Sequence, residues 1–177
     1  MSRDTTYAFK HLPSPVGRLT LVASAEGLAA ILWENERPGR VKLPPLTAAV
    51  DHPVLVETEW QLAAYFRGAL QTFTVPLAFI GTDFQKQVWR ALLTIPYGAV
   101  RSYSDIAHQI GRPTAARAVG AANGRNPISI IAPCHRVVGG NGSLTGFAGG
   151  LAAKEYLLGL EGGLPHPTAS RRPSNGD

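Results

Sequence analysis

The chain has 177 residues, 45% of them hydrophobic, and 17 Lys/Arg against 12 Asp/Glu, for a formal net charge of +5. This describes a globular protein with a sizeable core and excludes a disordered or fibrous chain. No segment reaches the roughly 20 apolar residues of a bilayer-spanning helix, and the first residues lack the apolar run of a secretion signal, so a soluble, cytoplasmic protein is expected.

The charge is uneven. Residues 1–80 carry seven Lys/Arg and seven Asp/Glu, whereas residues 81–177 carry ten and five. The basic excess belongs to the second half, which points to a polyanion as its partner. The one cysteine, Cys134, cannot form an internal disulfide or supply the several thiolates of a structural metal site. A reducing, intracellular setting is expected, and any lasting modification of Cys134 has no second thiol to resolve it.

In chain order, residues 7–12, 18–24 and 28–33 are short apolar runs punctuated by Pro13-Ser14-Pro15-Val16-Gly17 and Glu26-Gly27, which predicts an antiparallel meander. Residues 35–47 hold three prolines and a glycine and read as an exposed loop. After Asp51-His52-Pro53 the period turns helical, with Val56, Trp60, Ala63 and Ala64 on one stripe and Glu57, Glu59 and Arg67 off it. Residues 72–79 read as a strand, which Pro76 places at an edge. Together these form a small α+β unit over residues 1–80.

Thr82-Asp83-Phe84-Gln85 has the form of a capping box, and Phe84, Val88, Ala91 and Leu92 follow at helical spacing until Ile95-Pro96-Tyr97-Gly98 stops the helix. Helices over 104–110 and 114–123 flank a Gly111-Arg112-Pro113 break, and an irregular stretch runs from Pro127 to Cys134. Residues 136–138, the turn Gly139-Gly140-Asn141-Gly142 and residues 144–147 predict a hairpin. A last helix covers 150–160. This makes a second domain of residues 81–163, followed by a tail at 164–177 without periodicity, expected to be disordered.

The two short helices around Gly111 match a helix-turn-helix pattern. On the second, Ala115, Ala118, Val119 and Ala122 form the apolar stripe, leaving Thr114, Arg117, Gly120 and Ala121 on the other face. A mid-helix glycine costs about 1 kcal/mol relative to alanine, so Gly120 points to close approach by another surface. Arg117 projects from a smooth face able to sit deep in a groove.

Cys134 is followed by His135. The thiolate is the reactive form of cysteine, and an imidazole can act as its base. In an extended backbone consecutive side chains point to opposite faces, so proton transfer needs a turn or a bridging water. A carboxylate is the usual group that orients such an imidazole. Asp83, Asp105, Glu155, Glu161 and Asp177 are the candidates in the second half, and spacing does not choose among them.

Ile131-Ala132-Pro133-Cys134-His135-Arg136-Val137-Val138 resembles the active-site signature of the O6-alkylguanine-DNA alkyltransferases. The similarity extends over residues 97–162, through SYSDIA, PTAARAVGAANGRNP, TGFAGGLAAKEYLL and LEG. It implies an α+β fold: an N-terminal ribonuclease H-like domain followed by a winged helix-turn-helix domain that holds the active site. It implies a monomer that binds alkylated duplex DNA, flips the damaged guanine and transfers the O6-alkyl group to the thiolate in one irreversible turnover, without a cofactor. Cooperative assembly on DNA stays open.

The same resemblance implies roles. Cys134 is similar to the acceptor, His135 to the water-mediated base, Glu161 to the carboxylate that orients it, and Asn126 to the residue that fixes the turn behind the thiol. Tyr103 resembles the tyrosine that crowds the phosphate during flipping and hydrogen-bonds guanine N3. Arg117 resembles the finger that fills the emptied stack from the minor groove, with Thr114, Gly120 and Ala121 on the same DNA-facing surface. Val137, Phe147 and Ala148 match positions that line the guanine pocket. Some members carry tyrosine and serine where this chain has Phe147 and Ala148, so a hydroxyl near guanine O6 is lost and bulkier adducts are expected to fit. The zinc of some members needs thiols that this chain lacks, so no metal is expected. The alternative is a non-catalytic alkylguanine-recognition protein, but those relatives carry tryptophan at the position of Cys134.

Overall fold

The computed structural model describes residues 6–142, 144 and 146–162. Three strands, β1 (Tyr7–Leu12), β2 (Leu19–Ser24) and β3 (Gly27–Leu32), form the expected antiparallel meander. Ser24 closes the β2–β3 turn by accepting from the Glu26 amide. The sheet order is β3-β2-β1-β4, where β4 (Leu46–Ala48) runs parallel to β1.

That fourth strand corrects the reading of residues 35–47 as a wholly exposed loop. Within the segment Arg40 is buried, its guanidinium donating to the Glu36 carboxylate and to the carbonyls of Gly124 and Asn126. Prolines forbid helix and central-strand pairing, but they do not prevent a flanking residue from pairing at an edge. They also say nothing about a buried arginine whose acceptors include carbonyls more than 80 residues away.

Helix α1 (Pro53–Phe66) starts with proline in its first turn and His52 as N-cap, the ring Nδ1 accepting from the Val54 amide. Its buried face is Leu55, Thr58, Leu62 and Tyr65, whereas Val56 and Trp60 are 47% and 61% exposed. The predicted stripe of Val56, Trp60 and Ala63 therefore faces outward; of that set only Ala64 is buried. Apolar residues surround this helix, so periodicity could not select the face that meets the sheet. Buried Gln61 bonds Thr74 through both ends of its amide and so ties down residues 72–79. These do not form the predicted strand: a single bridge, Leu28 to Leu77, joins them to β3. Pro76 cannot donate, and its carbonyl instead accepts from the Leu28 amide.

Helix α2 (Asp83–Leu92) begins with both arms of the Thr82/Gln85 capping box. Helix α3 (Tyr103–Gln109) has a second box, Ser102/Asp105. The helix thus starts at Tyr103, one residue earlier than expected. Helix α4 (Ala116–Gly124) buries Val119, Ala122 and Asn123. Its expected first residues lie in the turn before it, and Ala118, assigned to the buried stripe, is exposed. Helix α5 (Leu151–Glu161) ends at Gly162, whose φ of 72° is the left-handed cap that closes a helix.

Among the described residues the predicted hairpin is not formed. Strand β6 (Val137–Val138) pairs in parallel with β5 (Arg101–Ser102). Of the expected second arm, Thr145 lies outside the described residues, and Leu144, Gly146 and Phe147 are irregular. Buried Val137 and Val138 pair instead with the half-buried Arg101 and Ser102 of β5. The expected tail at 164–177 also lies outside the described residues.

One apolar cluster joins the sheet and α1 (Leu21, Ile31, Leu62, Tyr65) to Ile128, Ile130, Ala132 and Leu157 from the second half. A second joins α2, α3 and α4 around Trp89, Ile106 and Val119 and includes Cys134 and Val137. The cysteine thus sits at the seam. Among the described residues no helix is long and apolar enough to cross a membrane.

Candidate active site

The segment that delivers the cysteine is held from behind by Asn126, which is fully buried. Its amide nitrogen donates to the Ala132 carbonyl at 2.8 Å and its oxygen accepts from the Ile128 amide at 3.0 Å. Between them Ile130 adopts φ 77°, a left-handed conformation that a β-branched residue rarely takes. Such strain costs about 1–3 kcal/mol and persists only where the surroundings enforce it. Here the enforcement comes from Asn126, from the Trp33 indole donating to Ser129 Oγ at 3.0 Å, and from Arg40 on the Asn126 carbonyl at 3.0 Å.

Cys134–Arg136 then form one 3-10 turn. A 3-10 turn rotates side chains by about 120° per residue, so Cys134 and His135 are not directed to opposite faces as an extended backbone would require. Cys134 is 2% exposed. Burial pushes its thiol pKa up, while the Asn126 side chain, Arg40, Lys154 and Ser129 pull the other way.

His135 is fully buried, and its Nε2 lies 2.8 Å from Oε2 of Glu161. Of the carboxylates left open by the sequence, Glu161 is the one beside the imidazole. Asp105 caps α3, Asp83 lies in the first turn of α2, Glu155 is exposed, and Asp177 is outside the described residues. Burial pushes the Glu161 pKa up, but hydrogen bonds from His135, Arg136 and Tyr65 outweigh it and lower the value to about 2. An ionised carboxylate only accepts, so Nε2 must carry the hydrogen and the neutral ring keeps its lone pair on Nδ1. That Nδ1 makes no hydrogen bond among the described residues. Burial lowers the His135 pKa, against the pull of Glu161. The lowered value favours the neutral ring.

Arg136 forks onto Glu161, Nε to Oε1 at 2.8 Å and Nη2 to Oε2 at 2.9 Å, and reaches the Ile95 carbonyl at 2.6 Å. Tyr65 donates to Oε2 at 2.5 Å. Lys154, fully buried, donates to the Val137 carbonyl at 2.7 Å. Burial lowers its pKa to about 8, and Cys134 raises it. Arg136, Tyr65, Lys154 and Trp33 were missed by sequence reasoning. Each reads as an ordinary core or surface residue along the chain.

Val137 is buried and Phe147 and Ala148 half-buried beside the thiol segment. Phe147 meets Trp33 edge to face at 5.4 Å, and a Cβ at Gly149 would come within 2.7 Å of the Trp33 ring. On the outer side, Tyr103 packs against Gly120, where an added Cβ would lie 3.8 Å from its ring. This is an ordinary contact, so Tyr103 does not by itself require glycine. Arg117 and Ala121 are exposed on the same helix, and Thr114 is exposed in the turn before it.

Residues 83–163 match the model of the 6-O-methylguanine DNA methyltransferase DNA-binding domain, and residues 5–79 that of its ribonuclease-like domain. A Methanosarcina acetivorans protein named methylated-DNA–protein-cysteine methyltransferase is 51% identical over 150 residues, covering 84% of this chain and 94% of its own. The chain belongs to this family. A Mycobacterium tuberculosis family member is 50% identical over 159 residues, covering 86% of this chain and 91% of its own. The solved structure of Mycobacterium tuberculosis OGT in complex with DNA superposes with a TM-score of 0.77 at 48% identity, covering 89% of this chain and 92% of that one. The methyltransferase fold of two parts, a ribonuclease-like α+β unit and a helix-turn-helix unit, is thus the fold of this chain.

Proposed function

We propose that this chain repairs DNA by a single irreversible transfer in which Sγ of Cys134 takes the O6-alkyl group of a guanine in duplex DNA. The thiol proton passes through a bridging water to Nδ1 of His135, and Glu161 holds the resulting imidazolium. As the sulfur forms its bond to the alkyl carbon, the carbon–O6 bond breaks and its electron pair stays on guanine. The Tyr103 hydroxyl hydrogen-bonds that developing anion, which is then protonated from solvent. The product is a thioether, and with no other cysteine in the sequence the protein is spent.

The observation that carries this reading is the imidazole directly after the thiol, tied to a carboxylate through Nε2 and open at Nδ1. The name of the Methanosarcina relative and the DNA complex of the Mycobacterium tuberculosis relative support methylated DNA as the partner. In this reading residues 1–80 form the scaffold and residues 81–163 the DNA-binding and active-site domain. Thr114, Arg117, Gly120 and Ala121 make the DNA face, with Arg117 filling the gap left by the flipped base. Val137, Phe147 and Ala148 line the pocket and Asn126 fixes the turn. The sulfur is too buried to meet a stacked base, and flipping costs a few kcal/mol, least at a damaged pair. The protein acts as a cytoplasmic monomer.

Incubation with an oligonucleotide containing O6-methylguanine should add one methyl mass to the intact protein, on Cys134, in equimolar yield. Cys134→Ala should bind the oligonucleotide and gain nothing. Repeated turnover, or methylation of the alanine variant, would refute the mechanism.

A further inference from the structure

The first half of the chain does more at this site than pack behind it. Tyr65, on α1, is fully buried and reaches across the seam to Oε2 of Glu161 at 2.5 Å. That is the oxygen to which His135 donates at 2.8 Å and Arg136 Nη2 at 2.9 Å; Oε1 receives Arg136 Nε. The fork from Arg136 already neutralises and orients the carboxylate. A further donor is not needed to hold Glu161. What it does is compete with His135 for the charge on one oxygen.

We propose that Tyr65 is a positioning residue for alkyl transfer: by sharing Oε2 of Glu161 with His135, its hydroxyl keeps the imidazole a neutral proton acceptor open at Nδ1. The proposal rests on the alkyl-transfer reading, in which Nδ1 must be unprotonated to receive the thiol proton. The geometry restricts Tyr65 to this one role. Its ring is packed against Phe66 at 5.4 Å, Phe73 at 5.3 Å and Tyr97 at 6.3 Å, so the hydroxyl cannot swing to another acceptor. Burial and the adjacent Glu161 drive its pKa far above the ordinary tyrosine value, so it remains a donor at every pH at which the protein works.

The groups acting on His135 are Glu161 and Lys154 from α5, Arg136 from its own turn, and Tyr65 through Glu161 from α1. Arg136 and Lys154 disfavour the imidazolium and Glu161 favours it. Removing the Tyr65 hydroxyl concentrates the Glu161 charge on Nε2–H and stabilises the imidazolium. His135 then takes up its proton at a higher pH, and transfer fails earlier on acidification.

The test is the rate of methyl transfer from an O6-methylguanine oligonucleotide as a function of pH, for the unaltered chain and for Tyr65→Phe. The acid limb should move up by about one pH unit, while above about pH 8, where His135 starts neutral in both proteins, the rate should not fall, because a more stable imidazolium accepts the thiol proton at least as readily. A rate lowered by the same factor at every pH, with the limb unmoved, would mean that Tyr65 is only a packing residue. Fluorotyrosine at position 65, a stronger donor, should move the limb down, and does not depend on whether the phenylalanine variant folds. Nitrogen-15 titration of the His135 ring, read without DNA, should show the same shifts. Should the unaltered chain accept no methyl group, the alkyl-transfer reading falls, while the ring titration still decides what Tyr65 does to His135.

Discussion

Glu161→Gln removes a charge but keeps the shape of the side chain at the centre of the buried network. The carboxylate accepts one bond from His135, one from Tyr65 and two from Arg136, and its side chain has no exposed surface. It sits in the last residue of α5, where the helix dipole disfavours a negative charge. Its lowered pKa therefore reflects donors strong enough to outweigh both burial and dipole. A fall from 4.5 to about 2 corresponds to about 3 kcal/mol of folded-state stabilisation. The variant should lose at least about that much, because it leaves Arg136 buried without its anion.

The pH dependence has a definite sign. A carboxyl whose pKa is lowered on folding stabilises fully above its unfolded value near 4.5, and that contribution disappears as pH falls toward about 2. Urea unfolding should therefore show the full gap between the two proteins at about pH 7 and a gap smaller by about 2 kcal/mol at about pH 3. A gap under about 1 kcal/mol at neutral pH, or one that does not shrink in acid, would refute the claim that the network stabilises the ionised carboxylate.

Lys154→Met should slow alkylation of Cys134 by iodoacetamide about tenfold at neutral pH, since an opposite charge nearby lowers a thiol pKa by about one unit or more; an unchanged rate would show that the ammonium does not act on the sulfur. Gly149→Ala should destabilise the protein by about 1–3 kcal/mol through overpacking, because the new Cβ meets the buried Trp33 ring at 2.7 Å; thermal unfolding checks this, and a gain in stability would contradict the packing. Ala148→Ser should shift the ratio of transfer rates for methyl and benzyl adducts toward methyl. Equal ratios would show that position 148 does not set adduct size.

The chain's own order of residues determined the chemistry and much of the local structure. The meander, the Thr82/Gln85 box and the helix before Gly162 follow from turn residues, caps and periodicity, which act over a few residues and are therefore written locally. The Pro-Cys-His run announced a reactive thiol for the same reason. The tertiary structure decided what depends on partners distant in sequence. Which face of α1 is buried depends on where the sheet lies, since both faces are apolar. That Val137 pairs with Arg101, 36 residues earlier, rather than with the run after the Gly139–Gly142 turn, depends on which segment packing brings alongside it. The choice of Glu161, and the arrival of Tyr65 from 96 residues away, follow from closing α5 against α1 and the 3-10 turn. Burial and the hydrogen bonds enclosed with it then set the protonation of the group, and both are properties of the packed molecule rather than of any stretch of its sequence.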